Sequence, residues 1–130
     1  MQHKQLKKIL LVEDDEDIRA IVKLALEMSG DLQVLCCSSG VDAVRSASDL
    51  NVDLIIMDVM MPEMDGPEAL SMLRQHEALR DTPCIFLTAR TQKNEIKKYM
   101  NLSIISIISK PFDPMTLADE VRKAWDACQQ

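Results

Sequence analysis

Short apolar runs alternate with amphipathic segments along this chain of 130 residues. A run of four or five mostly apolar residues is typical of a strand that is buried on both faces of a sheet. The sequence predicts five such strands, at residues 9–12, 32–36, 54–57, 84–87 and 104–108. The segments between these strands have helical periodicity, so strands and helices are expected to alternate.

Two helices have clear boundaries in the sequence. The first is expected to follow an N-cap at Asp17 and to end before Gly30. Its apolar stripe comprises Ile18, Ile21, Val22, Ala25 and Leu26. The last helix is expected to be capped by Asp113, with Pro114 in the first turn. Its stripe comprises Leu117, Val121, Ala124, Trp125 and Cys128. A third helix is expected to open at Pro67 and to carry Leu70 and Leu73.

This alternation predicts an α/β fold in which a parallel sheet is covered by helices on both faces. Parallel neighbours require right-handed crossovers, so we interpret the pattern as (βα)5. The chain contains no internal repeat, low-complexity tract or linker rich in glycine, serine or proline. We therefore expect residues 1–130 to form a single domain without an output domain.

Composition excludes several classes of protein. The chain is 47% hydrophobic and 28% charged, which is typical of a globular domain. Its apolar runs are far shorter than the ~20 residues that span a bilayer, and it has no secretory signal, so we expect no membrane contact and a cytoplasmic location. A net charge of −6 argues against direct binding of nucleic acid. The four cysteines form no CxxC motif, so we expect reduced thiols in or near the core.

Polar residues follow four of the five predicted strands directly. The first strand leads to Glu13, Asp14 and Asp15, and the third strand, in LIIMDVMMPEMDG, leads to Asp58. Thr88 follows the fourth strand, and Lys110 with Pro111 follows the fifth. The carboxyl ends of parallel strands meet at one edge of a sheet, where ligands bind. These acids, the hydroxyl and the ammonium are therefore expected to lie close together.

This combination of side chains indicates phosphoryl chemistry. Clustered carboxylates raise one another's pKa, and they stay ionised only when a cation neutralises them. Mg²⁺ suits such a site because it prefers hard oxygen ligands and is often shared with phosphate oxygens. Lys110 and Thr88 could then bind phosphate oxygens, and the Asp58 carboxylate could attack phosphorus to form an aspartyl phosphate. Singly, each of these residues also has an ordinary structural explanation as a turn residue, a helix cap or a surface charge.

The chain resembles the receiver domain of two-component response regulators from Lys8 to about Cys128. The motifs that carry this resemblance are ILLVEDDEDIR, DLIIMDVMMPEMDG, IFLTAR and IISKPFD. They contain Glu13 with Asp14, Asp58, Thr88, and Lys110 with Pro111, in the order and at the spacing of the family. The resemblance implies a flavodoxin-like fold of strand order 2-1-3-4-5. It also implies phosphorylation of Asp58 by a histidine kinase or a histidine phosphotransfer protein.

The same resemblance implies a role for each site residue. Asp14 and Asp58 would bind Mg²⁺ directly, the backbone carbonyl of Met60 would be a third protein ligand, and Glu13 would act through water. Asp15 lies one residue beyond this pair, and a shift of one residue would exchange its role with that of Asp14. The Lys110–Pro111 bond would be cis. Such a domain is a signalling phosphoacceptor, which catalyses only its own phosphorylation and dephosphorylation.

Two positions differ from the usual family pattern, and two others affect the lifetime of the phosphoryl group. Ile107 stands where many members have a switching tyrosine or phenylalanine, and Ser103 stands where many have glycine. The downstream partner is expected to bind the surface between Thr91 and Trp125. Met60 and Arg90 flank the path of a hydrolytic water, and since Met60 cannot orient water, we expect slow self-dephosphorylation.

Three alternatives to a phosphorylated receiver have different sequence requirements. A phosphatase of the haloacid-dehalogenase type needs a second acid two residues after its nucleophile, where this chain has Met60. A flavin-binding flavodoxin needs a phosphate loop rich in hydroxyls and glycine after the first strand, where this chain has EDDED. A pseudo-receiver, acting as an interaction module without phosphorylation, is the third. It is the main alternative, although the complete acid, hydroxyl and lysine set argues against it.

Overall fold

The computed structural model describes residues 4–89 and 103–129. These residues form a five-stranded sheet, four α-helices and two short 3-10 helices. The strands are β1 (Lys8–Val12), β2 (Gln33–Cys37), β3 (Leu54–Asp58), β4 (Cys84–Ala89) and β5 (Ile104–Lys110). The α-helices are α1 (Glu16–Glu27), α2 (Gly40–Ser46), α3 (Gly66–Leu73) and α4 (Pro114–Cys128), and the 3-10 helices are Ala47–Asp49 and Glu77–Leu79.

The sheet has the predicted topology. Its strands lie in the order β2-β1-β3-β4-β5, and every neighbouring pair is parallel. The strand order reverses between β1 and β3, so the carboxyl ends of these two strands flank the crevice in which such folds bind ligands. The flavodoxin-like order is confirmed. The helix that (βα)5 implies between β4 and β5 would fall at residues 90–102, outside the described residues.

Helices cover both faces of the sheet with apolar side chains. One face packs against α2 and α3, and its core includes Leu10, Ile55, Phe86, Ala43 and Leu70. The other face packs against α1 and α4, and its core includes Ile9, Leu11, Leu26, Val121 and Trp125. Burial on both faces explains why the strands are continuous apolar runs in the sequence.

The helix caps agree with the sequence at α4 and correct it at α1. Asp113 caps α4, with Pro114 at its first turn, as predicted. The prediction of Asp17 as the cap of α1 is wrong. The Asp15 carboxylate accepts hydrogen bonds from the backbone N–H groups of Asp17 and Ile18, at 2.9 and 3.1 Å, because α1 begins at Glu16. The remaining caps are Ser39 of α2 and Asp65 of α3, which were not predicted by residue.

Three strands extend further than predicted at their carboxyl ends. Asp58 still pairs with β4, opposite Leu87, and Thr88 pairs with β5, opposite Ser109. Lys110 is the last residue of β5. These polar residues therefore end the strands rather than follow them, because backbone pairing does not require an apolar side chain. The second strand is displaced by one residue from its predicted position.

Several side chains expected in the core are exposed. Ile21 of the predicted α1 stripe is 44% exposed, and Cys128 of the predicted α4 stripe is also exposed. The expectation that all cysteines lie in or near the core is wrong for Cys36 and Cys128 and correct for Cys84, which is buried. All four thiols are free. Within the described parts of the chain, no helix combines the length and the apolar content needed to cross a bilayer.

Candidate functional site

Three charged side chains meet at the carboxyl ends of β1, β3 and β5. Glu13 directly follows β1, and Asp58 and Lys110 end β3 and β5. The Lys110 ammonium lies 2.8 Å from a Glu13 carboxylate oxygen and 3.2 Å from an Asp58 carboxylate oxygen. Both carboxylates are buried, and Glu13 is completely so. One lysine therefore contacts two buried acids that belong to different strands.

Asp14 adds a third carboxylate to this group. Carboxylate oxygens of Glu13, Asp14 and Asp58 all lie within 4.8 Å of one another. Asp14 is exposed, so the cluster opens to solvent. Three carboxylates beside one ammonium leave an excess of negative charge, and their hard oxygen atoms are the donors that Mg²⁺ prefers. The residues present therefore fit a Mg²⁺ ion that retains some of its waters.

Burial and neighbouring charges shift the pKa values of two groups in the site. The pKa of the Glu13 carboxyl is raised to about 7. Burial is the largest cause and Asp58 adds to it, whereas hydrogen bonds from Lys110 and from the Asp15 backbone oppose it. Burial acts to lower the pKa of Lys110, but its hydrogen bond to Glu13 and the charges of Asp58 and Glu13 raise it overall. The ammonium is thus held charged, while ionisation of the Glu13 carboxyl is disfavoured.

Thr88 lies near the end of β4, beside these charged residues. Its side chain is buried, and its hydroxyl donates to the backbone carbonyl of Ala89 at 3.2 Å. Ile107 lies two pairs before Thr88 in the sheet, opposite Phe86, and packs against the core on the α2 and α3 face. At this position, where many family members have a switching tyrosine or phenylalanine, the chain thus has a half-buried aliphatic side chain.

The loop after β3 folds back over the end of that strand. The Met60 backbone N–H donates to an Asp58 carboxylate oxygen at 3.3 Å, and the Met60 side chain is 60% exposed. Gly66 donates its N–H to the Val59 carbonyl at 2.8 Å. A Cβ atom at Gly66 would lie 2.6 Å from the Asp58 carbonyl oxygen, so only glycine fits at this position. The ligand role of the Met60 carbonyl stays a prediction.

The turn between β1 and α1 decides which of the neighbouring acids joins the cluster. The Asp15 carboxylate caps α1, whereas the Asp14 carboxylate meets Glu13 and Asp58. Sequence reasoning missed Arg19, whose guanidinium donates to the Glu13 carbonyl at 2.8 Å. A cation in the first turn of a helix opposes the helix dipole, and this unfavourable position was a signal available in the sequence.

The segment after β5 borders the site on the side of α1. The Lys110–Pro111 peptide bond is cis. A cleft of about 360 Å³ lies next to Lys110 and is lined by Ile18, Ile21, Pro111, Phe112 and Pro114. This cleft was not identified from the sequence. Arg90 and the first part of the predicted partner surface, at residues 91–102, lie outside the described residues.

Comparison with known proteins identifies the family. The family model described as "Response regulator receiver domain" matches residues 9–122. The chain is 34% identical over 116 residues to the alkaline phosphatase synthesis transcriptional regulatory protein PhoP of Bacillus subtilis, which covers 89% of this chain and 47% of PhoP. It is 35% identical over 117 residues to the transcriptional regulatory protein CpxR of Escherichia coli, which covers 90% of this chain and 48% of CpxR. The chain thus spans about half the length of these two relatives.

Solved structures agree with the sequence matches. The chemotaxis response regulator CheY4 of Vibrio cholerae superposes with a TM-score of 0.82 at 28% identity, covering 92% of this chain and 99% of CheY4. The receiver domain of the sensor histidine kinase PA1611 from Pseudomonas aeruginosa, described with a magnesium ion coordinated in its active-site cleft, has a TM-score of 0.79 at 29% identity. That match covers 94% of this chain and 99% of the receiver. The chain belongs to the response regulator receiver domain family.

Proposed function

We propose that this chain accepts a phosphoryl group on Asp58 from a histidine kinase or a histidine phosphotransfer protein, in a Mg²⁺-dependent reaction. One observation carries the proposal. The Lys110 ammonium contacts both Asp58 and Glu13 beside a third carboxylate, that of Asp14. This arrangement combines a nucleophile, a fixed positive charge and a set of metal ligands at one edge of a rigid sheet.

Asp58 supplies the nucleophile. One of its carboxylate oxygens forms a bond to phosphorus while the P–N bond to the donor imidazole breaks. The imidazole nitrogen leaves with the electron pair of that bond and takes up a proton from water. Because Asp58 is the last paired residue of β3 and the Gly66 loop folds against it, its carboxylate is held in place before the donor arrives.

Lys110 and Thr88 act on the phosphoryl oxygens. The Lys110 ammonium lies 3.2 Å from Asp58 and can balance negative charge that moves onto the phosphoryl group, and the Thr88 hydroxyl is a second donor at the same edge. Asp14 and Asp58 would hold Mg²⁺ directly and Glu13 would hold it through water, with the Met60 carbonyl as the further ligand that family resemblance implies. When bound, the ion supplies positive charge that neutralises the acids and the phosphoryl oxygens.

Phosphorylation would then change the partner-binding surface. An aspartyl phosphate would attract the Thr88 hydroxyl and the Lys110 ammonium, and this pull would alter the packing of Ile107, which lies two pairs before Thr88 in the sheet. Ile107 can change its packing but cannot expose a phenol as an aromatic residue would. We assign the downstream target to the surface from Thr91 to Trp125, of which residues 103–125 are described.

The phosphodonor protein would contact the apolar cleft beside Lys110. The cleft adjoins the site, and Ile21 on its wall is 44% exposed, so a partner can bury this side chain. An Ile21→Asp substitution is expected to slow transfer from a donor protein while leaving phosphorylation by a small acyl phosphate unchanged. If phosphorylation by both donors is slowed equally, the substitution acts on the site itself and the cleft is not the docking surface of the donor protein.

The phosphorylated form is expected to persist. The exposed Met60 side chain has no group that orients water beside Asp58, so hydrolysis would be slow. A Met60→Asn substitution supplies an amide at this position and should accelerate loss of the phosphoryl group. An unchanged rate of hydrolysis would count against this part of the proposal. The chain thus catalyses only its own phosphorylation and dephosphorylation.

Intact mass spectrometry tests the proposal directly. The protein is incubated with a small acyl phosphate, with and without Mg²⁺, beside the Asp58→Ala variant. We expect one phosphoryl adduct that requires Mg²⁺ and that is absent from the variant. Asp42→Ala, which removes an exposed acid on α2, is the matched control and should be labelled as the wild type is. A folded wild-type protein that forms no adduct would support a pseudo-receiver instead.

A further inference from the structure

Glu13 is held from four directions. Its backbone N–H donates to the Cys37 carbonyl at 3.1 Å, and its carbonyl accepts from the Arg19 guanidinium at 2.8 Å. One carboxylate oxygen accepts from Lys110 at 2.8 Å, and the other accepts from the Asp15 backbone N–H at 3.1 Å. These contacts come from β2, α1, β5 and the β1–α1 turn. Glu13 is therefore the point at which four parts of the chain meet.

The Arg19 contact differs from the others because it fixes the backbone on the far side of Glu13. The carbonyl of Glu13 and the N–H of Asp14 belong to one planar peptide unit, so holding the oxygen orients the whole plane. The Asp14 Cα atom, which carries the side chain, is the last atom of this peptide unit. Asp14 is exposed, so core packing does little to fix its side chain. The direction of the Asp14 carboxylate thus depends on the peptide that Arg19 holds.

Hydrogen bonds join the β1–α1 turn to the first residues of α1 around the contact between Arg19 and the Glu13 carbonyl. The Arg19 backbone N–H donates to the Asp15 carbonyl at 2.9 Å, and the Asp15 carboxylate caps the helix. The Arg19 side chain then returns to Glu13, closing a ring of residues from the end of β1 to the first turn of α1. An arginine here opposes the helix dipole, so a compensating contact is expected for it to be favourable.

From these contacts we propose that Arg19 is a positioning residue for the acid cluster, an inference that rests on the proposed function. Arg19 acts through the Glu13–Asp14 peptide and sets the convergence of the Asp14 carboxylate on those of Glu13 and Asp58. Its role is geometric, because the guanidinium bonds a carbonyl rather than a carboxylate. Loss of Arg19 should therefore lower the affinity for a divalent cation strongly and the free energy of unfolding only slightly.

The test compares Mg²⁺ affinity with stability in matched arginine variants. Arg122 on α4 also ties a helix to a neighbouring turn, donating to Ser29 at 3.0 Å and to Asp31 at 2.8 Å, but it lies away from the site. Wild type, Arg19→Met, Arg19→Lys and Arg122→Met are titrated with Mg²⁺ by calorimetry. Amide NMR shifts at Asp14 and urea unfolding are recorded for the same proteins.

We expect Arg19→Met to lose about 10-fold or more in Mg²⁺ affinity, as is typical when a partner of a metal ligand is removed. Arg19→Lys, which can still donate to the carbonyl, should recover part of the loss. Arg122→Met should keep the affinity of the wild type while losing stability. If Arg19→Met does not fold, Arg19→Gln takes its place under the same criteria.

Failure of this inference can be told apart from failure of the proposed function. If the wild type binds Mg²⁺ and Arg19→Met binds it within twofold, the positioning role of Arg19 is wrong and the phosphoacceptor proposal stands. If Arg122→Met loses affinity to the same extent as Arg19→Met, general destabilisation explains the effect and the inference is also wrong. If the wild type itself does not bind Mg²⁺, both proposals fail.

Discussion

Half-buried Asp53 and fully buried Glu13, at opposite edges of the sheet, have pKa values shifted in opposite directions. Asp53 precedes β3 at the amino-terminal edge, where it accepts the backbone N–H groups of Lys7 and Lys8, at 3.0 and 2.9 Å. It also forms an ion pair with Lys4 at 3.1 Å. Burial acts to raise the pKa of Asp53, but these partners lower it overall. At the carboxyl edge, the pKa of Glu13 is instead raised to about 7.

The difference lies first in burial, which is complete only for Glu13, and then in how many hydrogen-bond donors each carboxylate has for itself. Asp53 has two backbone donors and a lysine of its own. Glu13 shares Lys110 with Asp58 and has Asp14 beside it. Charge at the amino-terminal edge is balanced and serves the fold, whereas charge at the carboxyl edge is unbalanced and favours binding of a cation. Excess negative charge therefore distinguishes the edge that holds the candidate site from the opposite edge.

The largest expected difference between Glu13 and Asp53 is in how the free energy of unfolding depends on pH when no metal is bound. The pKa of Glu13 is about 7 in the folded protein and 4.5 in its ordinary state, so its protonation favours folding by roughly 3 kcal/mol below pH 4.5. This contribution is lost as pH rises from 4.5 through 7. Urea unfolding in the presence of a chelator should show stability falling across this window. Glu13→Gln should remove the slope, and a slope that persists in this variant would assign it to other groups.

Neutralising an acid should have opposite effects at the two edges. Without metal, Asp53→Asn is expected to destabilise the fold by about 1–3 kcal/mol, because two backbone donors and Lys4 lose a charged acceptor. Asp58→Asn is expected to stabilise the fold by about 1 kcal/mol, because it relieves repulsion in the acid cluster. Chemical denaturation of both variants measures the signs. Destabilisation of equal size in both would show that the two edges do not differ.

Two glycine-to-alanine variants should both lose stability, but only the one beside Asp58 should also slow phosphorylation. In Gly66→Ala the new Cβ would meet the Asp58 carbonyl at 2.6 Å, so we expect a loss of about 1–3 kcal/mol. Displacement of Asp58 should also slow labelling by a small acyl phosphate about 10- to 100-fold. Gly30→Ala is the control. Its φ of 84° disfavours alanine, but no atom lies within 4 Å of the new Cβ, so it should lose stability while keeping the wild-type labelling rate.

The smallest expected effect concerns the turn before β5, at the edge opposite the candidate site. Ser103 has a φ of 62°, so the turn keeps a left-handed conformation that favours glycine. Ser103→Gly should stabilise the fold by about 0.5–1 kcal/mol without changing the labelling rate. Ser46→Gly is the control, because Ser46 has a φ of −90° and gains no relief. Thermal unfolding should separate the two variants, and equal melting temperatures would argue against strain at Ser103.

The sequence was sufficient to predict the sheet because strands buried on both faces must be apolar throughout. It also brought Glu13 and Lys110 to one edge, although they are 97 residues apart and contact each other directly. It could not choose the cap of α1, since EDDED offers several acids and the choice depends on where the helix begins. The position of Arg19 near the start of α1 was a signal in the sequence, but it could not identify the partner, because a guanidinium that donates to a backbone carbonyl has no sequence pattern.

Burial of individual side chains was harder to predict than the elements that carry them. Ile21 fits the apolar stripe of α1 by periodicity, yet it lies at the margin of that stripe and borders the cleft beside Lys110. Cys36 lies on β2, which is an edge strand, so one side of it lacks a neighbouring strand to cover the exposed thiol. These positions depend on how elements pack, which periodicity along one element does not specify.

The most direct test of the contrast between the edges is the change in stability caused by Mg²⁺. Urea unfolding of wild type, Asp53→Asn and Asp58→Asn is measured with a chelator and with saturating Mg²⁺. A ligand that binds the folded state at 100 times its Kd stabilises it by about 2.7 kcal/mol. We expect gains of similar size in wild type and Asp53→Asn, and little gain in Asp58→Asn. Equal gains in all three proteins, or none in the wild type, would contradict a Mg²⁺ site built on Asp58.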